Sequence, residues 1–220
     1  MKEEDYKRLI VVGDIHGQYD MLVDLMDKIK PTKDDFFVFI GDYIDRGHNS
    51  KKVIEFLINF EDQFPSVFIK GNHEDMLMAY LGLDEEAIYG DSYPFNGGEF
   101  TALSYGGNAV DELKDLMPDE HIGFIKKTSV NFETKNFFFC HGGIIPGIPF
   151  EDQTRETMLW IRYQFFEYPT GLDKVVVFGH TPQQKVRIEE DKIGIDTGAG
   201  YFKKLSAIDC FSKQIYQVKY

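Results

Sequence analysis

An α/β domain with a parallel sheet in its first half is the fold class that the sequence predicts. Three observations predict it. Short apolar runs of strand length alternate with amphipathic helical patterns from residue 8 to residue 81. Each of these runs stops abruptly at Gly-Asp or Gly-Asn. Beyond residue 129 the pattern changes to strand pairs with polar turns between them.

"RLIVVGD" (8–14) reads as the first strand. "YDMLVDLMDKI" (19–29) follows as a helix, because Met21, Leu22, Leu25, Met26 and Ile29 recur at steps of three and four and line one face. "DFFVFIGD" (35–42) is the second strand and "SKKVIEFLINF" (50–60) the second helix. "SVFIKGN" (66–72) is the third strand, and "EDMLMAYL" (74–81) starts the third helix. This βαβαβα order implies parallel neighbours joined by right-handed crossovers. Residues 83–108 are rich in Gly and aromatics and predict an excursion with short helical pieces, whose Tyr89, Tyr93, Phe95 and Tyr105 could wall one side of a site. "PDEHIGFIKKT" (118–128) predicts a helix with Pro118 at its first position. "SVNFETKNFFFCHGG" (129–143) predicts a hairpin turning near Lys135 and Asn136. "KVVVFGH" (174–180), "KVRIEEDKIGID" (185–196) and "KLSAIDCFSKQIYQVK" (204–219) supply further strands, with turns at Glu190-Asp191 and Ser212-Lys213. No linker, repeat or low-complexity tract interrupts the pattern, so residues 1–220 are expected to form a single domain.

Of the 220 residues, 43% are hydrophobic and 15% aromatic, enough for a sizeable core and too apolar for global disorder. The net charge of −13 disfavours a sequence-independent nucleic-acid binder, which must neutralise phosphates with Lys and Arg. The two cysteines, Cys140 and Cys210, sit in apolar runs and read as buried small hydrophobes in a reducing compartment. The charged start "MKEEDYKRLI" lacks the apolar stretch of a signal peptide, and no apolar run is long enough to span a bilayer. A cytoplasmic protein without membrane or nucleic-acid partners is the expectation.

Chemistry concentrates where strands end. The first strand delivers "GDIHG" with Asp14 and His16, the second "GDYIDRG" with Asp42, Asp45 and Arg46, and the third "GNHE" with Asn72, His73 and Glu74. Later come "CHGG" with His141 and "FGHT" with His180. Ligands of α/β sheets gather beyond the carboxyl ends of the strands, so these segments can converge. Asp14 and His16 are two apart and, in an extended segment, reach one cation together. Asp42 has two oxygens and can bridge two cations, while Asn72, His141 and His180 complete a second position. Carboxylate, imidazole and amide together suit Mn²⁺, Fe or Zn²⁺ better than Ca²⁺. Paired cations are a device for in-line displacement at phosphorus. Any one of these motifs alone is an ordinary turn; their ordered recurrence, holding four of the six histidines, is not.

The ordered set "GDIHG", "GDYIDRG", "GNHE", "HGG" and "GHT" resembles the phosphoprotein phosphatase family of binuclear metallophosphoesterases. "LWIR" (159–162) and "IDTGA" (195–199) look like its compact bacterial and phage members. The resemblance runs from Asp14 to about residue 200 and implies a calcineurin-like β-sandwich of two mixed sheets flanked by helices. It implies Asp14, His16 and Asp42 on a first metal, and Asp42, Asn72, His141 and His180 on a second, with a bridging water or hydroxide attacking phosphorus. It makes His73 the general acid, held by Asp45, and Arg46 and Arg162 the grips on the phosphoryl oxygens. Glu74 reads instead as a first-turn acid favoured by the helix dipole. No GxxxxGK[ST] or GxSxG pattern is present, and Cys140, preceding His141, should point away from the metals. The implied function is a serine/threonine protein phosphatase acting on phosphoprotein or phosphopeptide. Hydrolysis of diadenosine tetraphosphate is the alternative that the shared metal motifs leave open.

Overall fold

The strand-forming runs of this chain are apolar at nearly every position, not at alternate ones, which is the pattern of strands buried on both faces. The computed structural model, which describes residues 2–220, shows what buries them. Among the described residues there are ten strands: β1 (Arg8–Val12), β2 (Asp35–Phe39), β3 (Ser66–Phe68), β4 (Asn131–Glu133), β5 (Phe137–Cys140), β6 (Val175–Phe178), β7 (Arg187–Ile188), β8 (Lys192–Gly194), β9 (Lys204–Asp209) and β10 (Ile215–Lys219). The helices are α1 (Tyr19–Ile29), α2 (Ser50–Glu61), α3 (Asn72–Tyr80), α4 (Gly98–Ser104), α5 (Leu113–Leu116), α6 (Asp119–Lys127), α7 (Arg155–Trp160) and α8 (Tyr163–Glu167). One five-stranded sheet runs β10-β9-β1-β2-β3 and the other β4-β5-β6-β8-β7. β1, β2 and β3 are parallel, as are β5, β6 and β8; the outer strands of both sheets add antiparallel pairs.

The period-two alternation of side chains divides the core into three parts. Leu9, Val11, Phe36 and Val38 face Phe139, Val177 and Ile193 between the sheets. Ile10, Val12, Phe37 and Phe39 point outward onto Leu22, Leu25, Ile54 and Leu57 of α1 and α2. Phe138, Cys140, Val176 and Phe178 point outward on the other side, onto Met158 and Phe165 of α7 and α8. Each such fully buried side chain contributes about 1.5–3 kcal/mol. Cys140 therefore packs as a hydrophobe away from the strand-end residues, and burial pushes its thiol up to about 12.

Two helix boundaries differ from the sequence reading. α3 begins at Asn72 instead of residue 74, which places Asn72 and His73 in a helical first turn and not in the preceding loop. Pro118 lies just outside α6, with its carbonyl accepting the His121 N–H. In the excursion, Tyr93 and Tyr105 are buried, whereas Phe95 is 88% exposed. No helix among the described residues is long and apolar enough to cross a membrane.

Asp35 opens β2 from a buried position. It accepts bonds from Arg8 Nε and Nη2, both 2.7 Å, and from the Thr32 N–H and hydroxyl at 2.7 and 2.9 Å. Burial opposes the charged form, but the Arg8 and Thr32 bonds overcome it and hold the carboxyl below its ordinary range. A depressed folded-state pKa stabilises fully above the unfolded value of about 4 and loses that stabilisation as pH falls through the folded value. Asp35→Asn is expected to melt below the wild type at neutral pH, with the gap closing below about pH 4. Thermal melts against pH check this; a gap that persists undiminished in acid contradicts it.

Candidate metal and phosphate site

Loops leaving β1, β2, β3, β5, β6 and β8 meet at one edge of the sandwich. Their backbones interlock first. The Ile15 and His16 N–H groups donate to Asp42 O, and Gly179 N–H donates to His141 O. His180 N–H donates to Asp14 Oδ2 at 2.9 Å, tying the end of β6 to that of β1. Gly71 is required by proximity, since a Cβ there would lie 2.2 Å from Asp42 Oδ1. His16, Asp42, Asp45, Arg46 and His180 all have left-handed backbones, with φ between 48° and 71°. Such conformations cost roughly 1–2 kcal/mol each for a non-glycine residue and cluster where geometry is imposed for function. They also correct the sequence reading of Asp14 and His16: the two converge because the chain turns at His16, not because it stays extended.

Asp42 stands at the centre. Its Oδ2 lies 3.4 Å from His16 Nε2 and its Oδ1 3.3 Å from His141 Nε2. His16 Nδ1 donates to Ile44 O and His141 Nδ1 donates to Ile40 O, both at 2.9 Å, so each ring turns its Nε2 toward the aspartate. Asn72 Oδ1 lies 3.0 Å from that same His141 nitrogen and 2.9 Å from His180 Nδ1. Asp14 Oδ1 is buried without a hydrogen-bond partner. Carboxylate, amide and imidazole groups thus crowd together with Asp14 Oδ1 and His180 Nε2 buried and unpartnered, an arrangement that a cation completes. The crowding shows in the proton affinities. Burial and the neighbouring Asp196 push Asp14 well above the usual carboxylate range. Burial opposes a charge on His141, yet Asp42 and Asp14 raise it to about 9. The residues therefore fit metal binding, with Asp42 shared between one group near His16 and another holding His141 and His180.

His73 lies within metal-ligand reach of His16 and Asp42 and is also paired with a buried acid. Its Nδ1 lies 2.7 Å from Asp45 Oδ2, with both residues buried, and its Nε2 faces the metal side 3.9 Å from Asp42 Oδ2. Arg46 Nη1 donates to His16 Nε2 at 2.8 Å, which puts a guanidinium at the mouth of the site. Arg162 sits at the break between α7 and α8; burial, then His141 and then Arg162 hold His180 well below its ordinary value. The structure thus brings Asp14, His16, Asp42, Asp45, Arg46, Asn72, His73, His141 and His180 into direct contact with one another. Arg162 is near enough to act by charge, without a hydrogen bond to the others.

A family model described as calcineurin-like phosphoesterase matches residues 7–220. The chain belongs to this family. It is 30% identical to the serine/threonine-protein phosphatase PP2A-like PPG1 of Candida albicans, over 91% of this chain and 42% of that protein. It is 25% identical to the asymmetrical bis(5'-nucleosyl)-tetraphosphatase PrpE of Bacillus velezensis, over 89% of this chain and 86% of that one. A solved chain provisionally described as a diadenosine tetraphosphatase shares the fold, with a TM-score of 0.75 and 20% identity over 100% of this chain and 96% of that one.

Four side chains of this phosphoesterase take supporting roles that its sequence does not reveal, Tyr93 among them although it reads there as a possible wall. Tyr93 OH and Thr101 Oγ1 donate to Asp45 Oδ1 at 2.9 and 2.6 Å, fixing the carboxylate that faces His73. The excursion thus buttresses Asp45. Glu74 accepts from the backbone N–H groups of Asp42, Tyr43, Ile44 and Gly71, so it holds the β2 loop against α3. Burial and the Asp42 charge push Glu74 up to about 7, against those four donors, which favour its ionised form. Asp196, in "IDTGA" beyond β8, is a buried acid at a sixth strand end; burial and the Asp42 charge raise it to about 6 although the Gly198 N–H bond opposes this. An acid two residues past a short apolar strand, in "KIGID", is the signal that could have found it. Tyr93→Phe removes one donor from Asp45 and keeps the ring. It is expected to lower kcat/KM on an alkyl phosphate about tenfold with metal content retained; unchanged kinetics would show that Asp45 needs no such support.

Proposed function

We propose that this phosphoesterase removes phosphate from phosphoserine and phosphothreonine in proteins or peptides, using two divalent cations. Asp14, His16 and Asp42 would hold one cation and Asp42, Asn72, His141 and His180 the other, with Mn²⁺ the first choice for this mixed oxygen and nitrogen set. The cations supply, when bound, an activated water and neutralisation of phosphoryl charge. The observation that carries the reading is the buried His73–Asp45 pair at 2.7 Å. A serine or threonine alkoxide is a poor leaving group and needs a proton in the transition state. His73 can deliver one from Nε2 while Asp45, fixed by Tyr93 and Thr101, holds the Nδ1–H and the charged ring. Arg46 and Arg162 bind and orient the phosphoryl oxygens. The two free, buried thiols accord with a reducing, cytoplasmic setting.

A second reading is hydrolysis of dinucleoside polyphosphates. It is favoured by the near full-length alignment to PrpE, whereas the chain spans less than half of PPG1. A phosphoanhydride leaving group is more acidic and makes less use of a proton donor. The deciding experiment strips the protein, restores Mn²⁺ and compares kcat/KM on a phosphoserine peptide and on diadenosine tetraphosphate. The peptide is expected to win; a large preference for the dinucleotide would replace the first reading with the second.

A further inference from the structure

The turn after β8, "GAGYFK" (198–203), is built against the site without supplying any residue assigned so far. Its backbone is fixed tightly. Gly198 N–H donates to Asp196 Oδ1, Tyr201 N–H and Lys203 N–H donate to Gly198 O, and Phe202 N–H donates to Ala199 O. Ala199 is fully buried. Gly200 presses on the His16 ring so closely that a Cβ would lie 2.4 Å from His16 Cδ2. The next side chain, Tyr201, lies beneath Arg46, with the guanidinium carbon 5.1 Å from its ring centroid. One short turn therefore backs both a metal-side histidine and the arginine beside it.

Arg46 needs such a backing. Its backbone is left-handed, its N–H donates to Gly97 O at 3.3 Å, and its guanidinium makes one hydrogen bond among the described residues, to His16 Nε2. That nitrogen offers a single lone pair, the one the metal reading assigns to a cation. A cation and an arginine N–H cannot both take it. With the lone pair engaged, the stacking on Tyr201 is the side-chain contact left to keep Arg46 over the site. The ring also lets the guanidinium turn in its own plane, because a cation–π contact fixes the distance and tilt more than the rotation.

We infer that Tyr201 is a positioning residue for Arg46, holding its guanidinium in place to receive a phosphoryl group once His16 is no longer its partner. The inference rests on the phosphate-binding role proposed for Arg46. Tyr201 is 54% exposed, so its replacement should spare the fold, and its hydroxyl makes no hydrogen bond among the described residues, so phenylalanine should serve as well.

The test uses Mn²⁺-loaded protein, binding of orthophosphate by titration calorimetry, and kcat/KM on the preferred substrate. Tyr201→Leu is expected to weaken orthophosphate binding and kcat/KM together by about fivefold, the scale of a part-exposed cation–π contact. Metal content should be unchanged, and Tyr201→Phe should restore both parameters. In an Arg46→Ala background, Tyr201→Leu should add no further loss. Orthophosphate binding by Tyr201→Leu equal to the wild type, or a full Tyr201→Leu loss persisting without Arg46, overturns the inference. If Arg46→Ala itself leaves phosphate binding intact, the role proposed for Arg46 falls; if Arg46→Ala is damaging and Tyr201→Leu is silent, only the positioning role falls.

Discussion

Asp42→Asn is expected to lose tightly bound metal from both positions and to lower kcat/KM on the order of a thousandfold or more. The argument is geometric. The two oxygens of Asp42 face different histidines, His16 at 3.4 Å and His141 at 3.3 Å, so one substitution weakens both cation positions. An amide keeps the volume but removes the charge and turns one of the two acceptors into a donor. Because Asp42 Oδ1 accepts the His73 N–H, the NH₂ would take the other position and face His16. The backbone need not collapse, because Glu74 holds the Asp42 N–H and the His16 N–H holds its carbonyl. Elemental analysis gives the metal content. A second measurement is the rise in Tm on adding Mn²⁺, which ligand linkage requires of the wild type and which the variant should lack. Retention of two equivalents of metal by Asp42→Asn would show that Asp42 is not the shared ligand.

His73→Asn should separate proton delivery from metal binding. The loss is expected to be on the order of a hundredfold or more on an alkyl phosphate and far smaller on an aryl phosphate such as p-nitrophenyl phosphate, whose leaving group needs no proton. Metal content should be that of the wild type. Proximity is compatible with ligation as well, since His73 lies with His16 and Asp42 at distances that a metal site spans. What the proposed acid role uses is its Nδ1 partner: Asp45 is buried, fixed by Tyr93 and Thr101, and fitted to hold the Nδ1–H of a ring whose Nε2 faces the site. Loss of a metal equivalent from His73→Asn, or equal losses on both substrates, would assign His73 to the metal instead.

Much of this site was legible in the sequence because its chemistry is local to strand ends. A parallel strand buried on both faces reads as an unbroken apolar run, so an acid or histidine just past it is conspicuous; Asp14, Asp42, His141 and His180 were found that way. The two-sheet architecture was not contained in that periodicity and came only with the family resemblance. What stayed hidden depends on contacts between distant segments. Tyr93 and Thr101 lie 48 and 56 residues from Asp45, in a stretch without a clear period, and nothing local distinguishes their hydroxyls from those of other loop residues. Glu74 was visible only as a helix-favouring acid, because its partners are backbone amides, which every sequence has. The start of α3 was misplaced because Asn72 and His73 look like loop residues until Glu74 accepts the Gly71 N–H and draws the helix back over them.

The strand order of the first sheet has a consequence for how the protein comes into being. β1 lies between β2 and β9, and Gly13, at the start of its loop, donates to Ser206 O. A growing polypeptide would thus display three of its strand-end motifs early, while one flank of its first strand waits unpaired until β9 is made, after every other strand but β10. Catalytic competence should arrive all at once when β9 docks, and chains stopped before β9 would carry an open, sticky edge in place of a slower enzyme.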